Sequence, residues 1–195
     1  AVLRVTPIKD VKTMIQAFAF AKKSVPELKL WIMGPTDEDK AYAQECFELV
    51  KALEVEDVEF TGRVNVKDYL GKMDFTLLTS ISEGQPLTIL ESYAAHKPVI
   101  ATDVGNCQEL IYGNDDGFGP AGILTHIMNI EEIAQAMITM SEDQEERERM
   151  GEAGYKRVNA FYRNEQMKDV YRGIYRELSD RQKLDWTEEP FQIRR

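Results

Sequence analysis

The sequence predicts an α/β fold, a Rossmann-like parallel sheet with helices on both faces. Two observations point there. Short, β-rich apolar runs alternate with segments of helical pattern along the chain, a βαβα order whose spacing fits crossover helices between parallel strands. The length, 195 residues, suits one such domain with a substantial core and is short for two.

Residues 1–5, Ala-Val-Leu-Arg-Val, read as a first strand entered without a cap or lead-in, and with Ala at position 1 the sequence looks like an excised piece. Residues 11–24 carry apolar side chains at helical spacing, among them Val11, Met14, Ile15 and Phe18. Residues 28–33 form the second strand and stop at the Gly34-Pro35 turn. Residues 38–53 are a helix whose first turn is acidic, as the positive end of a helix dipole favours. Residues 58–60 give a short strand, 66–71 a short helix, and 74–80, Asp-Phe-Thr-Leu-Leu-Thr-Ser, a buried strand of mostly β-forming residues. A helix carrying Glu91 comes next, followed by a strand at 99–102, a short helix at 108–112 and a last strand at 121–124. After that only helical patterns remain, at 130–140, 144–161 and 165–178. The domain therefore covers residues 1–178, and a polar tail with Trp186 and Phe191 covers 179–195.

The formal net charge of −10 and a pI near 4.8 argue against a nucleic-acid or anionic-membrane surface, so a bound anion must be met by a few placed cations and dipoles. Cys46 and Cys107 are too few for a disulfide framework, and no apolar run reaches membrane-spanning length. No signal peptide is visible, so a reducing cytoplasm is the expected compartment.

In sheets of this kind ligands bind beyond the carboxyl ends of the strands. The run Glu83-Gly-Gln-Pro-Leu-Thr-Ile-Leu-Glu91 leaves such an end and enters a helix, with seven residues between its two carboxylates. Gly84 belongs to the entering loop. Pro86 suits the first helical turn, where its missing N–H costs nothing. The amides of Leu87 and Thr88 then face an anion at the positive end of the helix, a setting that holds phosphate without side-chain charge. Glu91, on the same face one turn deeper, is placed to accept hydroxyls such as those of a ribose.

Arg4 and Lys9 flank the end of the first strand and could neutralise a diphosphate, or could be ordinary surface cations. Gly34-Pro35 would form a floor near the ligand, or simply a turn. Gly62-Arg63-Val64 ends another strand, where glycine lets backbone approach a base or phosphate. From the residues alone the Arg63 side chain reads as an exposed turn arginine. Gly105-Asn106 likewise permits amides to approach something bound. Cys107 stands at a helix start but lacks the neighbours of a nucleophile, and reads as a packed residue.

Other patterns carry no site. Gly117-Phe-Gly-Pro-Ala-Gly122 matches a dinucleotide-binding expression but precedes a strand rather than leaving the first one, and is read as a loop. Asp37-Glu-Asp39 is read as a helix start, and His96 and His126 as surface or structural residues without metal-ligand spacing. The mixed-sign run at 142–149 is read as a solvated face.

The chain from residue 3 to about 178 resembles the carboxyl-terminal, donor-binding half of a family 4 glycosyltransferase of the GT-B fold. The resemblance rests on the E-x7-E element at Glu83 and Glu91, the R-x4-K pair Arg4 and Lys9, and Ala101-Thr-Asp-Val-Gly105 before Glu109-Leu-Ile. In detail, at Thr79-Ser-Ile-Ser-Glu83, Gln85-Pro-Leu87 and Gly105-Asn-Cys-Gln-Glu-Leu110, it is similar to the bacterial exopolysaccharide branch typified by the Pel glycosyltransferase.

The resemblance implies a retaining enzyme with a UDP-sugar, UDP-glucose, as donor substrate, no permanently bound cofactor and no required metal. Arg4 and Lys9 would hold the diphosphate, Glu91 the ribose, Glu83 the transferred sugar, and Arg63 and Val64 would border the base. The carbohydrate acceptor would bind a missing amino-terminal domain, without which this half should bind donor but be inactive, and a membrane-associated polysaccharide synthase complex is an expected setting. Gln85 and Asn106 depart from the family, which commonly has an aromatic residue and a second glycine there. The alternatives are a nucleotide-sugar epimerase of the same architecture and a non-catalytic nucleotide-binding module. In this fold the last helix commonly crosses back to the amino-terminal half.

Overall fold

The chain is described by a computed structural model covering residues 1–185, with side chains for residues 1–180. Residues 1–158 and the residues from 159 onward form two separate units.

In the first unit, residues 1–5 lead into a single 3-10 turn, Pro7–Lys9, and then into α1, Val11–Ala21. Asp10, in the left-handed region at φ 46°, caps α1 by accepting from the Thr13 amide, a cap position that suits aspartate. The elements that follow are β1 Leu30–Met33, α2 Lys40–Ala52, β2 Val58–Gly62, α3 Lys67–Leu70, β3 Thr76–Leu78, α4 Leu87–Ala94, β4 Val99–Thr102, α5 Cys107–Tyr112, β5 Gly122–Thr125, α6 Ile130–Glu142 and α7 Gln144–Phe161. After residue 10 the predicted order of elements holds, and most boundaries move by one to three residues.

All strand pairs are parallel, but they form two ladders, β1–β2 and β3–β4–β5. The expected first strand is not one. Residues 1–5 lie alongside β1, with the amides of Leu3 and Val5 donating to the carbonyls of Met33 and Pro35, and Met33 donating back to Ala1. Only the Val2–Met33 pair closes into a bridge. The next return bond would have to come from Pro35, which has no N–H, so the ladder stops there. The predicted strand at 74–80 is also shorter, Thr76–Leu78: past Leu78 the Ser80 carbonyl accepts from the Thr102 hydroxyl and the Ile81 amide donates to the Ile8 carbonyl, outside the ladder with β4.

β4, the middle of the three-stranded ladder, is buried along its whole length, as a central parallel strand must be. α5 and α6 pack against β4 and β5, and α1 lies on α6. The α1 face of Val11, Met14, Ile15 and Phe18 sits in one core with Ile32, Leu77, Ile100, Ile133 and Met137.

In the second unit α8 runs Asn164–Asp185, past the helix end expected at residue 178 and into the expected tail. Met167, Val170, Tyr171, Ile174, Tyr175 and Leu178 are exposed along it at the spacing of one helical face. Trp186 and Phe191 lie outside the described residues.

Candidate functional site

Because the strands are parallel, their carboxyl ends share one edge. A cleft of about 450 Å³ opens there, and its lining includes Arg4, Lys9, Gly34, Arg63, Val64 and Thr88. Residues from four separated stretches of sequence thus meet where the topology directs them. A different cavity, of about 320 Å³, lies at the opposite edge among Trp31, Met73 and Phe75, and holds none of the predicted site residues.

The floor of the cleft is close-packed backbone. Gly34, at φ 145°, donates to the Gly62 carbonyl at 2.8 Å, and a Cβ on it would fall 1.8 Å from the Leu3 carbonyl oxygen. Only glycine allows that approach. Arg4 and Arg63 are exposed and reach across to the start of α2. Arg4 Nη1 lies 3.2 Å from Glu38 Oε2, and Arg63 Nη2 lies 3.4 Å from Asp37 Oδ1 and 3.9 Å from Glu38 Oε1. Surface pairs of this kind contribute little, so both guanidiniums stay available to a more highly charged anion. Asp39 caps α2 by accepting from the Tyr42 amide at 3.0 Å, in line with the reading of 37–39 as a helix start.

Lys9 differs from the arginines. Its side chain is only 16% exposed, and its ammonium bonds Glu83 Oε1, on a carboxylate 13% exposed. The Ser80 hydroxyl donates to the same oxygen at 2.6 Å. Two neighbouring hydroxyls fix this pair from below. Thr79 Oγ1 shares its proton between the carbonyls of Lys9, 2.9 Å, and Asp10, 3.1 Å, and the Ile81 amide donates to Ile8. Neither hydroxyl was singled out as a site residue from the sequence.

Gly105 carries the loop that holds Glu83. At φ 52°, a Cβ there would meet the carbonyl oxygens of Glu83 at 2.1 Å and Gly84 at 2.5 Å, and the Asn106 amide donates to Gly84 at 2.9 Å. The glycine therefore serves a close approach to the Glu83–Gly84 backbone, and the Asn106 amide, expected to approach something bound, is taken up by the Gly84 carbonyl instead.

α4 begins at Leu87. Pro86 takes the cap position in extended conformation, φ −73°, one residue outside the helical turn expected for it, and no side chain caps the helix. The Leu87 and Thr88 amides stand at the first two helical positions, with Leu87 exposed and Thr88 in the cleft lining. Glu91 is exposed one turn further along α4. Glu83, Gly84, Pro86, Leu87 and Glu91 do not themselves line the cleft; Glu83 reaches it through Lys9.

Cys107 is fully buried, and burial pushes its thiol up to about 11. Cys46 is buried too and raised to about 11 for the same reason, so both stay protonated. His96 stacks on Tyr155 with Glu152 3.2 Å away, and His126 meets Glu132 at 2.8 Å. Among the described residues no group of three His, Cys, Asp or Glu could hold a metal, and no helix is long and apolar enough to cross a membrane.

The Gly117–Gly122 stretch is a loop, as read. It is tied down by Arg157 of α7, 1% exposed, which bonds the carbonyls of Leu110, Ile111 and Gly119 and grips both oxygens of Asp116 at 2.6 and 3.1 Å. Within the expected solvated run, Arg147 departs from the pattern: it is only 16% exposed and bonds the Met140 carbonyl at 2.6 Å.

Residues 1–157 match the family described as Glycosyl transferases group 1. The sequence is 33% identical over 170 residues to the N-acetyl-alpha-D-glucosaminyl L-malate synthase of Bacillus anthracis, covering 86% of this chain and 42% of that protein. The chain thus spans less than half the length of that relative. Anabaena Alr3699/HepE in complex with UDP and glucose has a similar fold, with a TM-score of 0.75 at 23% identity over 86% of this chain and 46% of that one. The C-terminal domain of the group 1 glycosyl transferase LpcC from Francisella tularensis gives a TM-score of 0.72 at 24% identity, over 84% of this chain and 85% of that chain.

Proposed function

The chain belongs to the group 1 glycosyl transferases, and from that premise we propose that it is the donor-binding domain of a retaining enzyme. In this reading the enzyme moves glucose from UDP-glucose to an acceptor hydroxyl in exopolysaccharide synthesis, as in the Pel branch it resembles. The observation that carries the donor site is the meeting of Arg4, Lys9 and Arg63 in one cleft of a chain whose net charge is −10. Such a local concentration of cations against the overall sign marks an anion site.

Expelling the diphosphate is the demanding step, since negative charge grows on the β-phosphate oxygens as the glycosidic bond breaks. Arg4, Lys9 and the Leu87 and Thr88 amides meet that charge, and fixed donors of this kind favour the transition state over the ground state. No metal is required for the task. Lys9 has three N–H bonds; one goes to Glu83, which leaves two for phosphate. Its ammonium therefore couples the sugar-binding carboxylate to the leaving group. Glu83 orients the sugar ring, Glu91 takes the ribose hydroxyls, and Arg63 and Val64 border the base. The acceptor binds a second domain, so this half binds donor but does not transfer by itself. The setting is the cytoplasm, beside a membrane-associated polysaccharide synthase, and the unpaired Cys46 and Cys107 suit that compartment.

The test is a calorimetric comparison of two variants with UDP. Glu83→Ala is expected to keep the affinity of the parent chain, and Glu91→Ala to lose about tenfold, the worth of a hydrogen-bonded charge. Equal losses in both variants would contradict the division of roles.

A further inference from the structure

Ser80 is fully buried, so it does not touch a donor, yet its hydroxyl lies 2.6 Å from Glu83 Oε1. We propose that Ser80 is a positioning residue that aims the Glu83 carboxylate at the donor sugar. The inference rests on the reading of Glu83 as the sugar-binding group.

Three observations carry it. The first is that both donors on Glu83, Lys9 Nζ and Ser80 Oγ, converge on the single oxygen Oε1, and among the described residues none is placed on Oε2. A carboxylate held through one oxygen presents the other outward. The second is that Ser80 is itself fixed. Thr102 Oγ1 of β4 donates to the Ser80 carbonyl at 2.6 Å, which ties this stretch to the most buried strand of the ladder. Lys9 is by contrast a flexible four-carbon stem with a freely rotating ammonium. It supplies charge to Glu83, and the short hydroxyl on rigid backbone supplies direction. The third is the neighbour. Thr79 holds the backbone of Lys9 and Asp10 through its own hydroxyl. Adjacent hydroxyls thus serve the two members of the ion pair, Thr79 through the backbone of Lys9 and Ser80 through the carboxylate of Glu83. Together they set both groups relative to the end of β3.

A hydrogen bond to a charged group, once removed, typically costs about tenfold in an equilibrium that depends on it. Calorimetric titration of the chain with UDP and with UDP-glucose, for the parent, Ser80→Ala, Glu83→Ala and the double variant, reads that loss. Ser80→Ala is expected to keep UDP affinity within about twofold and to weaken UDP-glucose about tenfold. Because Ser80 acts through Glu83, its substitution should change nothing further in the Glu83→Ala background. Ser80→Cys, close in size but with a weak donor, should repeat the loss of UDP-glucose affinity, which a packing defect alone would not.

Equal weakening of UDP and UDP-glucose, or a Ser80→Ala effect that persists undiminished beside Glu83→Ala, would reduce Ser80 to a packing residue and overturn the proposal. Unchanged UDP-glucose affinity in Ser80→Ala and Ser80→Cys would overturn it while leaving Glu83 in its role, provided Glu83→Ala weakens UDP-glucose. A Glu83→Ala variant that binds UDP-glucose like the parent would remove the sugar-binding reading of Glu83 and the proposal together.

Discussion

Gly105 shows how narrowly single residues shape the site. Its missing side chain lets the turn after β4 run beneath the Glu83–Gly84 carbonyls, and its φ of 52° is one that other residues adopt at a cost. Gly105→Ala is expected to destabilise the chain by about 1–3 kcal/mol in chemical denaturation and to weaken UDP-glucose more than UDP, because the displaced carbonyl belongs to Glu83. At this scale the sequence shows which residues matter better than what each one touches. Arg4, Lys9, Gly34, Arg63 and Val64 meet in one cleft because strand ends in a parallel sheet share an edge, although the residues alone left Arg63 as an exposed turn arginine. The bond from Lys9 to Glu83 spans 74 positions, and no local pattern encodes it. The Ser80 hydroxyl was hidden in a run that reads simply as strand, and the Asp37 and Glu38 contacts to the arginines lay behind a sufficient reading as a helix start.

Among the elements, those defined by their own hydrophobic period came through best: β4 and α7 have the bounds expected, and α1 and α6 nearly so. The first strand failed for a reason outside its own residues, since the absent N–H of Pro35 stops its ladder with β1. α7 shows the opposite limit. Its helical span was readable, yet the buried role of Arg157 on it was not. Met150, Ala153 and Gly154 are buried with it at spacings of three to four residues, and that face was the available signal. Arg157 joins α7 to the end of α5 and to the 116–119 loop. Arg157→Ala should therefore lower the unfolding free energy by about 3–5 kcal/mol in urea, as expected when one partner of a buried ion pair is removed.

For the molecule as a whole, the same pair links stability to pH. The Arg157 guanidinium holds the Asp116 carboxyl below its ordinary value. A carboxyl depressed in the folded state contributes stability that is complete above the unfolded pKa and is lost as pH falls through the folded one. The parent chain should accordingly lose stability below about pH 4, and Arg157→Ala should show a shallower acid slope; parallel slopes in denaturation series across this range would refute the linkage. The charge of the whole chain frames the central claim as well. A protein of net charge −10 repels anions except where its cations are gathered, and among the described residues Arg4, Lys9 and Arg63 are gathered at the cleft. The most direct measurement is calorimetric titration of the chain, without added metal, with UDP, UDP-glucose, ADP and NAD. The account predicts binding of the two uridine nucleotides in preference to ADP and NAD; absence of binding by all four, or equal binding of all four, would contradict a uridine-nucleotide donor site.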